Sequence, residues 1–318
     1  GGRAPIGADA AIELGRVTPI SAAAWTRFES LYRADLARLH DSAKLEESAG
    51  IVTPHLASYL RRLGVTTATA RNKAKLVSDL LTFHRCGTVD VYRDVVADHF
   101  QGEFQLAALK ESAKEVDVDL LAAWLRAGEL TEAFEGARDA AYDEGALRAR
   151  LPELRLRAAS PDETLMDDLA DMLRGVGVLL QRVEPPASFP LHGVTRWIDG
   201  RVPLIQQTGR QGKDGFIIWT LFHEIGHVLN DPRGESHVEY TTEKKRNSAA
   251  ERAANAFALE TLFGDAGLAP FEGLQRDGDI ARVAREIGIS PGLAVFQLHR
   301  RRLLPYAWGN GLCVEVPA

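Results

Sequence analysis

The sequence predicts an α+β protein that is predominantly helical, with a helical N-terminal module ahead of a domain built on a small twisted sheet. Three observations carry this reading. Amphipathic stretches at helical spacing run from Thr18 to about Ala159 with no strand-like alternation among them. Short strand patterns occur only after Ala158. Finally, the fourteen residues FIIWTLFHEIGHVL, Phe216 to Leu229, form an apolar run that nevertheless holds two histidines and a glutamate.

In chain order, WTRFESLYRADLARLH, TPHLASYLRRLG, ATARNKAKLVSDLLTFHRC and DVDLLAAWLRAGEL read as helices separated by Gly, Thr or Pro breaks. Trp25, Phe28 and Tyr32 recur at helical spacing, which marks core or interface. His40, His55, His84 and His99 read as surface or packing residues. The segment AASPDE from Ala158 joins a helix-stopping Pro161 to acidic cap residues and sets the domain boundary between 46–157 and 158–318. A helix over 162–174 should then lead to strands at 177–183, 193–199 and 202–207, with Asp199-Gly200 as a hairpin turn. The strand 202–207 is expected at a sheet edge, where a substrate adds as a further strand, and Asp214 is expected to cap the helix that follows. Near the C-terminus, IARVAREIGISPGLAVFQLHRRRLL has the length and glycine turn of a helix-turn-helix. Its basic residues Arg300, Arg301 and Arg302 lie at the C-terminal end of the second helix, where cations offset the dipole, so a packed helical pair is expected instead.

Composition bounds the function. With 318 residues, 45% hydrophobic and 26% charged, the chain can bury a substantial core. A formal charge of -6 and a pI near 5.9 argue against a polyanion-binding surface over the whole molecule. No apolar run reaches bilayer-spanning length and no signal segment opens the sequence, so a cytoplasmic protein without membrane contact is expected. Two cysteines, Cys86 and Cys313, are too few for a disulfide framework and have no zinc-ribbon spacing.

The chemistry concentrates at His223-Glu224-Ile225-Gly226-His227. Residues four apart on a helix lie nearly above one another, so His223 and His227 can bind one metal while Glu224 is angled beside it. Thr220, His223, Glu224 and His227 form one polar stripe. An HExxH match arises by chance in about one chain per hundred of this size, so the reading needs a third ligand. Catalytic zinc sites combine three protein ligands with one open position. The metzincin spacing would need a glycine and a ligand where this chain has Asn230 and Arg233, which excludes that class. Glu251, opening the segment ERAANAFAL, is the better candidate. Ala254 and Ala258 on its face would allow close approach to the first helix, and Asn255 would supply a hydrogen bond outside the ligand set. Asp231, Glu235, His237 and Glu239 in the intervening polar loop rank below Glu251 as ligands. His237 and Tyr240 are instead candidate oxyanion donors or substrate contacts.

HEIGH followed by ERAANAFA resembles the ImmA/IrrE family of zinc metallopeptidases. GVGVLLQRVEPP, GVTRWIDGRVPLIQQTGR and ISPGLAVFQLHRRRLLPYAW resemble its branch fused to an Xre-type helix-turn-helix domain. The similarity covers roughly residues 150 to 310; YRADLARL and LLAAWLRAGE look like pieces of the connecting region. By that resemblance, 158–318 is a zincin-like, gluzincin-like metallopeptidase domain with one Zn2+ held by His223, His227 and Glu251, and Glu224 is the catalytic acid/base. Residues 1–45 would be the tail of a helix-turn-helix domain and a connecting helix. The opening Gly1-Gly2 is then expected to be a cloning remnant on a shortened chain. The expected activity is site-specific cleavage of an Xre-type repressor or related regulatory protein, in stress response or mobile-element control, with DNA contacted only through the missing upstream domain. Two alternatives are a non-catalytic transcriptional regulator using the fold for sensing or dimerisation, which leaves room for a homodimer, and an antitoxin-like protein that sequesters a partner.

Overall fold

A computed structural model describes residues 4–98, 117–130, 141–187, 191–209, 212–234, 237–240 and 249–316, with the backbone alone at 98, 191 and 237–240. The chain divides into two compact units, Gly1–Arg93 and Asp94–Ala318. In the first, α1 (Ala8–Val17), α2 (Ala22–Glu47), α3 (Pro54–Arg62) and α4 (Lys73–His84) follow in order, and α5 (Val89–Asp98) spans the division. Ser21, Thr53 and Asn72 start α2, α3 and α4 by accepting hydrogen bonds from the backbone N–H of Ala24, Leu56 and Lys75. Leu56, Leu60, Val77 and Leu80 are fully buried, so α3 and α4 supply the core. The helical expectation for this stretch holds among the described residues.

The second unit contains α6 (Val118–Glu129), α7 (Glu144–Ala158), α8 (Leu165–Arg174), β1 (Leu179–Arg182), β2 (Leu191–Ile198), β3 (Val202–Gln207), α9 (Asp214–Asn230), β4 (His237–Tyr240), α10 (Ala249–Phe263), α11 (Asp277–Ile287) and α12 (Pro291–Arg300). It takes in α7, which precedes the boundary expected at Ala158, because Leu147, Leu154 and Ala158 bury themselves in the same core as Ile217, Leu221 and Ile225 of α9. The protein is thus mostly helical with a small sheet, as an α+β reading requires. No helix among the described residues is long and apolar enough to cross a membrane.

The four strands lie in the order β1-β3-β2-β4, with β1 parallel to β3 and the other pairs antiparallel. The hairpin between β2 and β3 turns at Asp199 and Gly200, whose φ values of 51° and 64° are both positive as the central residues of a type I′ turn require, with Arg201 N donating back to Ile198 O at 3.0 Å. The expected edge position of 202–207 is corrected here: β3 is paired on both sides, and β1 and β4 are the outer strands. A strand's place in a sheet depends on which other segments pair with it, and its own six residues carry no record of that.

Alternation along β2 separates two faces. Thr195 and Trp197 face α9, while Arg196 points to the opposite side, where its guanidinium pairs with Glu129 and donates to Leu125 O at 2.7 Å. Gln206 Nε2 donates to Trp124 O at 2.7 Å and Trp124 Nε1 to Val183 O at 3.0 Å, so α6 is fastened across that second face. Asp214 does not cap α9. It is the first helical residue, and its carboxylate accepts from Ser290 Oγ at 2.7 Å and Val314 N at 2.9 Å, tying the starts of α9 and α12 together. Burial raises its pKa despite those bonds. The C-terminal segment is the expected helical pair, with α12 packed on α9.

Candidate metal centre

Sixteen of the seventeen residues of α9 are buried, so every polar group on it must find a partner inside the unit. Close packing with α10 brings the partners in. A Cβ on Gly226 would lie 3.0 Å from Ala254 Cα and 3.1 Å from Phe257 Cδ1, so glycine on α9 and alanine on α10 permit the approach. At that crossing Glu251 reaches both histidines: Oε2 lies 3.4 Å from His223 Nε2 and Oε1 3.3 Å from His227 Nε2. The two Nε2 atoms are 3.1 Å apart. The three ligand atoms lie within 4.8 Å of one another, so the cluster can hold a metal ion.

The surroundings fix each member. Asp231, the residue closing α9, places Oδ2 2.6 Å from His227 Nδ1, which orients the ring and leaves Nε2 toward the cluster. Burial by itself lowers the His227 pKa, but hydrogen bonds to Asp231 and Glu251 and the Glu224 charge raise it to about 10. Burial likewise pushes the Glu251 carboxyl up, yet the two imidazoles hold it well below the usual carboxylate range. A cation entering here takes the place of bound protons, so its affinity falls as pH falls.

Glu224 is fully buried and points to the sheet, where its Oε2 accepts a 2.6 Å hydrogen bond from Thr195 Oγ1. It lies beside the three-residue cluster and is not a member of it. Asn255 donates from Nδ2 to Glu251 O at 2.7 Å and accepts from Arg300 at 3.1 Å, and the Arg300 guanidinium stacks 4.9 Å from the Trp219 ring centroid. Asn255 therefore steadies the backbone that presents Glu251. His237 and Tyr240 belong to β4, where they pair with Thr195 and Leu191 of β2; their side chains lie outside the described residues, as does Glu235. Sequence reasoning weighed Asp231 only as a ligand, although its spacing of four from His227 at a helix end signals the role it has. It missed Thr195, which sits on another element 29 residues away.

Residues 217–299 match a peptidase family model described as the IrrE N-terminal-like domain. This supports the ImmA/IrrE family. The match takes in most of α9, all of α10 and α11 and most of α12, and with them His223, Glu224, His227, Glu251 and Asn255. Searches of curated proteins and of solved structures gave no match. The matching family is one of metallopeptidases, which together with the cluster points to a metal cofactor.

Proposed function

We propose that the second unit is a zinc-dependent endopeptidase of the ImmA/IrrE type, cutting a transcriptional repressor of the Xre type or a related regulatory protein in stress response or mobile-element control. The observation that carries the reading is the convergence of two nitrogens and a carboxylate from α9 and α10, with a second carboxylate, Glu224, held beside them. Two imidazoles and one carboxylate form a donor set suited to zinc with a position left open.

In this reading His223, His227 and Glu251 hold the ion and Asp231 keeps the His227 ring aligned. Bound zinc would supply Lewis-acid polarisation of water and of the scissile carbonyl. Glu224 accepts the proton from the attacking water and returns it to the leaving amine. Its burial excludes bulk water from that transfer. The protein substrate would enter extended, and His237 and Tyr240 remain the candidates to contact it or the developing oxyanion. The non-catalytic alternative has an observation of its own: His223 and Glu224 have 0% exposure, so a peptide must open the site to reach them.

The experiment incubates the zinc-loaded chain, Glu224→Gln and His227→Ala with the Xre-type repressor encoded nearest the gene, reading fragments by mass spectrometry and metal content by atomic emission. The expected result is fragments from the unaltered chain alone, zinc retained by Glu224→Gln and zinc lost from His227→Ala. Zinc in the unaltered chain with an intact repressor favours the non-catalytic regulator. Zinc loss on Glu224→Gln would mean that Glu224 is a ligand, contrary to its assigned role.

A further inference from the structure

Thr195 stands at a point where little can move. Its backbone is paired on both sides, with Ile205 of β3 and with His237 of β4, and its side chain is fully buried. A β-branched side chain on a fixed strand has few χ1 choices, so the hydroxyl is aimed by the sheet. It is aimed at Glu224 Oε2, 2.6 Å away. Two residues earlier on the same face, Gly193 leaves room for the other carboxylate oxygen: a Cβ there would come within 2.9 Å of Glu224 Oε1 and 3.2 Å of Thr220 Cγ2. The carboxylate thus sits over Gly193 with its far oxygen held by Thr195.

We propose that Thr195 is the positioning residue for Glu224, with Gly193 as the space that lets the carboxylate lie there. A glutamate on a helix beside two histidines and a second carboxylate has two competing options, turning into the cluster as a fourth ligand or turning away from it. A short hydrogen bond from a hydroxyl that cannot follow it removes both. The sheet, rather than the helix that bears Glu224, then sets where the proton acceptor stands. This rests on the reading of Glu224 as the acid/base beside a bound metal.

The test does not need the substrate. The whole chain is loaded with Co(II), whose visible band reports a filled His-His-Glu site, and titrated with acetohydroxamate. That probe chelates a divalent ion through two oxygens and shares its hydroxyl proton with an adjacent carboxylate. Thr195→Val, Thr195→Ser and Glu224→Gln are compared with the unaltered chain. Cobalt stoichiometry is expected to be equal in all four, which shows that each folds. The acetohydroxamate Kd is expected to rise about tenfold in Thr195→Val, the loss of one hydrogen bond to a charged group, with a rise at least as large in Glu224→Gln and recovery in Thr195→Ser. A Kd in Thr195→Val equal to that of the unaltered chain, while Glu224→Gln is weakened, overturns the positioning role and leaves the Glu224 reading standing. A Kd unchanged in Glu224→Gln overturns that reading and the inference with it, as does failure of the unaltered chain to take up cobalt.

Discussion

Two helices of this chain use their apolar residues in opposite ways. In α9, sixteen of seventeen residues are buried, and the polar ones among them include Asp214, Thr220, His223, Glu224 and His227. In α2, a helix of 26 residues, none is buried, and Phe28, Leu31, Tyr32 and Leu39 stand exposed. The comparison teaches that an apolar pattern does not by itself locate a core. What distinguishes α9 is that other elements close around it: the sheet on one side, and α10 and α12 packed against it. Polar groups tolerated inside such a setting must be held by partners, and here those partners are Glu251, Asp231 and Thr195.

The largest effect is expected from disturbing what closes the sheet behind α9. Arg196 is 1% exposed and its ion-pair partner Glu129 15%. Burial would raise the Glu129 carboxyl, but the Arg196 charge and hydrogen bonds from Arg126 and Arg196 hold it below its ordinary value of 4.5. Glu129→Gln leaves a buried guanidinium uncompensated and should destabilise the second unit by about 3–5 kcal/mol at neutral pH. The sign with pH follows from the lowered pKa. The pair's contribution is complete above 4.5 and is lost as pH falls through the lower folded value, so the gap between the variant and the unaltered chain narrows in acid. Urea unfolding followed by tryptophan fluorescence at neutral and acid pH measures both. A gap that stays constant with pH would show that Glu129 acts by packing alone.

How much of this was legible follows the reach of each interaction. HEIGH was readable because its spacing of four falls on one helix, and Glu251 because the alanines beside it announce a close helix crossing, which Gly226 and Ala254 make. The turn at Asp199-Gly200 was readable because positive φ at both positions suits those residue types. Thr195 and Arg196 were not, since their partners lie 29 and 67 residues away on other elements. The inner place of β3 escaped for a related reason: β1 joins it in parallel, although β2 lies between the two in the chain and not in the sheet. Asp214 sits where a cap would be, and only the fold brings Ser290 and Val314 to it.

An intermediate effect tests whether a buried polar group of α9 depends on its partner or on helix packing. Asp231→Asn keeps the side-chain size but replaces a charged acceptor at His227 Nδ1 with a neutral one. Groups that orient a ligating histidine are worth about 10–100-fold in metal affinity, and a loss in that range is expected, read by competition with a colorimetric zinc chelator. Secondary structure by circular dichroism should not change. Affinity equal to that of the unaltered chain would mean that packing against α10 alone sets the His227 ring, and that α9 needs less from its surroundings than the comparison claims.

The smallest effect is expected on α2, and its smallness is the point. Leu39 is 66% exposed, so Leu39→Ser removes little buried surface from the isolated chain and should shift stability by no more than about 0.5 kcal/mol. The same argument applies to Phe28, 51% exposed, although its ring meets Trp25 edge-on at 6.2 Å and part of that contact would go. Thermal unfolding across a range of protein concentrations separates the outcomes. A loss near 2 kcal/mol, the scale of a buried leucine side chain, would show that something covers this face in solution. If stability rose with concentration in the unaltered chain and not in the variant, the cover would be a second copy, because association makes stability depend on protein concentration. The apolar residues of α2 would then be buried by assembly where those of α9 are buried by folding.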